Sequence, residues 1–67
     1  MNNTEQVCLL DKKAFMCLNL GYKNNSKIRI DENDIMLFRE CMSDNKILNQ
    51  CYELGSELDN LHKYKKS

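Results

Sequence analysis

Proline and tryptophan are absent from this chain, glycine occurs only at positions 21 and 55, and the single histidine is His62. With two isolated glycines there is no Gly-rich loop to cradle a phosphate. One imidazole and four cysteines without a C-x-x-C pair do not make a zinc site, which needs closely spaced ligand pairs. Ten basic and ten acidic side chains cancel to zero net charge. The basic footprint that displaces counterions from nucleic acid is therefore missing, and DNA or RNA is not expected as a ligand. No apolar run reaches the length of a membrane span. Met1 to Gln6 lack the charged start and apolar stretch of a signal peptide, so the expected location is cytoplasmic. Cys8, Cys17, Cys41 and Cys51 are then expected as reduced thiols serving as small apolar residues, although their even number also permits a disulfide framework. Neither a metal nor a cofactor is expected.

What is present is a 67-residue chain rich in Asn and with eight Lys against two Arg. That bias, with no Pro or Trp, matches an AT-rich genome such as that of a low-GC bacterium, its phage or a mobile element. A chain of this length forms a single small domain over residues 1–67 and buries only about 60% of the surface it exposes when unfolded. Ordering it costs on the order of 100 kcal/mol. A core this small scarcely offsets that cost, which favours a permanent protein partner or a homodimer.

Along the chain, Leu18, Leu20, Tyr22, Ile28 and Ile30 alternate with polar residues or glycine on either side of Lys23-Asn24-Asn25-Ser26. Period two is strand spacing, and Asn favours tight turns. The pattern predicts a β-hairpin of about 16 to 22 with 27 to 31, and Gln6 to Leu10 can add a third strand. A helical reading competes, because Val7, Leu10, Ala14, Cys17 and Leu18 also recur at helical spacing, with Thr4 as N-cap and Gly21 as stop. The fold class expected is α+β: an N-terminal β-hairpin or three-stranded meander before two helices. The alternative is an all-α helical hairpin or three-helix bundle.

The C-terminal half reads as helix. Asp31 is placed to cap a helix running to about Met42, with Ile30 and Ile35 as a hydrophobic staple and Glu32 and Asp34 favouring the positive end of its dipole. Capping also accounts for the cluster Asp31, Glu32 and Asp34, which lacks the spacing and the glycine of a calcium loop. Ser43 offers a second cap. From Ile47 to Tyr64 an amphipathic helix carries Cys51, Leu54, Leu58 and Leu61 on one stripe, which predicts that these residues pack inward. His62 lies near the stripe's edge, close in sequence to no cysteine, and reads as a helix-end cation rather than a catalytic imidazole. Gly55 inside this helix costs about 1 kcal/mol relative to Ala, and close approach of another backbone would explain it.

The string Gly55-Ser56-Glu57-Leu58-Asp59 resembles the Ser-Gln-Glu-Leu-Asp signature of the stage-zero sporulation aspartyl-phosphate phosphatases, with Glu57-Leu58-Asp59 matching in register. Met42 to Ile47 is similar to that family's inter-helix turn. Within residues 32–64 the resemblance implies a helical hairpin whose Asp59, with Glu57, would enter a response regulator and assist hydrolysis of its aspartyl phosphate. Read without it, the same surface is a docking face: Glu53, Glu57, Asp59 and Asn60, joined by the aromatic residues Tyr52 and Tyr64. The function expected first is a non-catalytic regulator or inhibitor of a larger protein, of phage or mobile-element type, acting through the C-terminal helix. The phosphatase is the alternative.

Overall fold

The computed structural model describes residues 3–66, with the backbone alone described for Asn3 and for residues 64–66. Among the described residues it contains four helices: α1 (Asn3–Leu10), α2 (Lys12–Asn25), α3 (Glu32–Cys41) and α4 (Lys46–Lys66). No strand occurs among the described residues, so the expected α+β class is overturned and the competing helical periodicity prevails. The proposed hairpin segment 16–22 lies inside α2, 27–31 belongs to the turn and extended connector between α2 and α3, and 6–10 is in α1.

The reason is that α2 is buried on more than one side. Ala14, Cys17, Leu18 and Gly21 form one buried stripe, while Leu20 is also buried and borders Ile30, Ile35 and Phe38. A helix with several covered faces places apolar residues two apart as readily as four apart, which imitates strand alternation.

Local chemistry sets the boundaries. Asp11 accepts from the Ala14 N–H at 2.9 Å and starts α2 one residue after α1 ends. Gly21 does not stop this helix, which continues to Asn25. There the Ile28 N–H reaches the Lys23 carbonyl and the Lys27 N–H that of Asn24, with Lys27 at φ 62°. That is the Schellman closure, in which the residue after the cap turns left-handed. Asp31 and Asp34 form a reciprocal capping box on α3. The cap of α4 is Asn45, whose side-chain oxygen accepts from the Ile47 and Leu48 N–H groups, and not Ser43, which donates back to the Glu40 carbonyl.

Pairings between elements give the topology. Lys13 meets Glu40, Cys17 meets Cys41 and Lys23 meets Asp34, so α3 returns antiparallel to α2. Leu18 lies against Gly55, and Asn25 against Asp59, so α4 runs in the same sense as α2. The α2–α4 contact dominates the molecule, and α1 touches both helices.

All four cysteines are bridged, contrary to the expected free thiols. Cys8–Cys51 joins α1 to α4 and Cys17–Cys41 joins α2 to α3. Their Cα atoms, 5.5 and 5.8 Å apart, stand at ordinary disulfide separation. These half-cystines are also the largest fully buried side chains in the described structure. Leu18, Leu20 and Leu48 complete the apolar centre, with Ala14. On the chain-entropy estimate, the wider bridge alone restrains the unfolded chain by about 4 kcal/mol, more than the roughly 2 kcal/mol from burying any one of these leucines. Reduction is therefore expected to abolish the fold at about 37 °C, read as loss of far-UV helical circular dichroism with reductant and its retention without.

Where α2 crosses α4 the two backbones touch. A Cβ on Gly21 would overlap the Tyr52 carbonyl oxygen, and one on Gly55 would overlap that of Leu18 and come within 2.9 Å of the Tyr22 amide nitrogen. Backbone atoms cannot swing aside as a flexible side chain can. Gly55→Ala or Gly21→Ala is therefore expected to destabilise the fold by about 3 kcal/mol through overpacking, despite the better helix propensity of Ala. Urea denaturation of the oxidised proteins measures this, and an unchanged midpoint would contradict the crossing.

Candidate functional site: the two faces of the C-terminal helix

The glycine crossing decides which way α4 faces. Leu48, Cys51, Gly55 and Asp59 are its buried residues, flanked by Tyr52 and Ser56. The Ser56 hydroxyl donates to the Gly21 carbonyl across the contact. The leucine stripe expected inside is rotated outward: Leu54 is half-buried, Leu58 is 39% exposed and Leu61 59% exposed. Small residues at the crossing draw the helices together along a line one step around from the leucines.

Asp59 is the charged group that this rotation carries inward, with 3% of its surface exposed. Its carboxylate accepts from the Ser26 hydroxyl on one oxygen, and on the other from Asn25 Nδ2 at 2.8 Å, with Lys63 Nζ at 3.2 Å. Asn25 also donates to Asn60 Oδ1, and Lys63 reaches the Asn25 carbonyl. The cluster ties the Asp59–Lys63 turn of α4 onto the C-terminal end of α2. The Ser26 hydrogen bond holds the Asp59 carboxyl below the ordinary carboxylate range, desolvation opposes it, and Asn25 and Lys63 add to the lowering.

The residues expected to act are thus divided. Asp59 is buried, its carboxylate taken up by Ser26, Asn25 and Lys63. Tyr52 is half-buried, its hydroxyl accepting from Asn24 Nδ2 at 2.6 Å and its ring edge-on to Phe38 with centroids 5.5 Å apart. It serves the α2–α3–α4 packing. Glu53, Glu57 and Asn60 are exposed, Asn60 with its oxygen engaged by Asn25. The side chain of Tyr64 lies outside the described residues. His62 faces Tyr22, whose hydroxyl stands 3.3 Å from Nδ1. Among the described residues no group of His, Cys, Asp or Glu is arranged to hold a metal ion.

Sequence reasoning missed a groove between α1 and α4. One stretch of about 220 Å³ is lined by Leu9, Leu18, Leu54 and Leu58 with Glu5 at its edge. The adjoining stretch, about 270 Å³, shares Glu5 and Leu54 and adds Glu53 and Glu57. Thr4 and Gln50 approach to 3.5 Å there, holding α1 alongside the first half of α4. The one advance signal was Gly55, the residue that rotates the leucines out. No protein-family model matches the chain, and neither curated proteins nor solved structures supply a match.

The Asp59 cluster has a pH signature. A carboxyl lowered on folding binds its proton more weakly in the folded chain, so its stabilisation is complete above the unfolded value near 4 and shrinks as pH falls through the folded value. Asp34, lowered chiefly by its hydrogen bond from Lys23, adds to the same slope. Asp59→Asn is expected to lower Tm at pH 7 and to flatten the fall in Tm between about pH 4 and pH 2. A variant with the wild-type acid slope would show that Asp59 does not anchor α4 to the end of α2.

Proposed function

We propose that this protein is a small disulfide-stapled binding module that regulates or inhibits a larger protein by applying the outer face of α4 to it. The observation that carries this reading is the inversion of α4 beyond Gly55, where a carboxylate is inside and two leucines are outside. Leu9 on α1, 61% exposed, extends that apolar surface next to Leu58. Leaving the exposed parts of these side chains in water forgoes roughly 1 kcal/mol each, which a partner that covers them recovers. Contiguous apolar surface of this kind marks interaction sites.

The phosphatase reading receives less support. A carboxylate that enters a regulator's active site must be exposed, and Asp59 is enclosed by Ser26, Asn25 and Lys63. Among the described residues no helix is long and apolar enough to cross a membrane. Two structural bridges favour an oxidising compartment over the cytoplasm that free thiols would suit.

Affinity capture from an extract of the source organism under non-reducing conditions tests the reading. The wild-type chain is expected to retain a larger protein that Leu58→Asp/Leu61→Asp releases, the variant keeping the wild-type Tm. Retention by both, or by neither, would refute it.

A further inference from the structure

The α1–α4 groove has a shape and a charge that specify its occupant. Its floor is apolar, with Leu54 and Leu58 one turn apart on α4 and Leu9 facing them from α1. Along one edge stand Glu53 and Glu57, also one turn apart, with Glu5 opposite. All three glutamates are exposed, and among the described residues none is in an ion pair. Elsewhere among the described residues Asp34, Glu40 and Asp59 each have a lysine within reach, while Asp11, Asp31, Glu32 and Asp44 are in no ion pair. What sets this groove apart is the gathering of three glutamates beside an apolar floor.

We infer that this groove takes a basic amphipathic helix of a partner protein, with apolar residues seated among Leu9, Leu54 and Leu58 and Lys or Arg against Glu5, Glu53 and Glu57. Three considerations select that occupant. The walls are helices whose backbone groups are already hydrogen-bonded, so an extended peptide would find no ladder to join; a helix brings its own backbone bonds and presents only side chains. The one-turn repeat of both the leucines and the glutamates matches i, i+4 spacing on a helix laid alongside. Three uncompensated carboxylates repel phosphate, which disfavours nucleic acid and anionic membrane while steering a cationic partner in. This inference rests on the binding-module reading and adds to it the chemistry of the partner.

A synthetic amphipathic helix with leucines at i, i+4 and flanking lysines, and its analogue with glutamate for lysine, test the assignment on the oxidised full chain. Fluorescence anisotropy is expected to show the lysine peptide binding about tenfold more tightly, the combined effect of several weak exposed ion pairs, with the advantage shrinking at high salt. Glu53→Lys/Glu57→Lys should reverse the preference. Leu58→Asp should weaken both peptides while Tm holds, and chemical shifts should move at Leu9, Leu54 and Leu58. Equal affinity for the two peptides, shifts confined to the α3 face, or a second copy of the chain closing the groove against both peptides would each overturn the inference. In the capture experiment, a partner lost with Leu58→Asp/Leu61→Asp but indifferent to Glu53→Lys/Glu57→Lys would sink the basic helix and leave the binding module standing. No captured partner at all would sink the module itself.

Discussion

Contact between the backbones of α2 and α4 at Gly21 and Gly55 is the constraint on which the rest of the molecule depends. It sets the rotation of α4 about its own axis, and with that rotation the inner row Leu48, Cys51, Gly55 and Asp59. Cys51 is thereby aimed at α1, where Cys8 meets it, and Asp59 is aimed at the end of α2, where Ser26 and Asn25 receive it. A helix rotated to bury its leucines instead would break both connections. Two residues without side chains thus position a covalent bond and a buried charge.

The interior that results is thin. Its largest fully enclosed side chains are half-cystines, and many larger apolar residues, including Phe15, Met16, Met36 and Leu61, remain substantially in contact with solvent. A chain this short has little volume in which to hide them. Covalent restraint of the unfolded state compensates for the burial it lacks. The same arrangement frees apolar residues for recognition, because they are not all required for stability.

Much of the C-terminal half was legible. Asp31 announces its helix through a local rule, a short acceptor just before a run with helical periodicity, and such rules need no knowledge of what packs where. The long last helix was visible from its apolar periodicity, although its cap is Asn45 and not the Ser43 that the local rule points to. Residues 12–25 misled because their apolar pattern reflects several neighbours at once, which a reading of one segment cannot see. The disulfides run against the expectation of reduced thiols, which rests on the cytoplasmic reading of the first residues and not on the cysteines themselves. The even count permits bridges, and only the paths of the helices select one of the three pairings. Asp59 is the sharpest case. Its place in a short acidic string suggested an outward, working carboxylate, whereas its partners Asn25 and Ser26 lie more than thirty positions earlier in the chain. The cost of a glycine inside a helix does point to close approach at Gly55, and the α2 backbone supplies it. The consequence for every side chain beside it could not be drawn until the crossing partner was known.

The bridges also have a topological meaning. Cys17–Cys41 lies within the span of Cys8–Cys51, and the corner at Asp11, the connector at 26–31 and the turn before α4 all fall inside the outer span. Each joint between helices is therefore part of a closed covalent ring. A protease that severs any one of them opens the ring without releasing a fragment, so the chain can be nicked once at any interhelical joint and remain a single molecule.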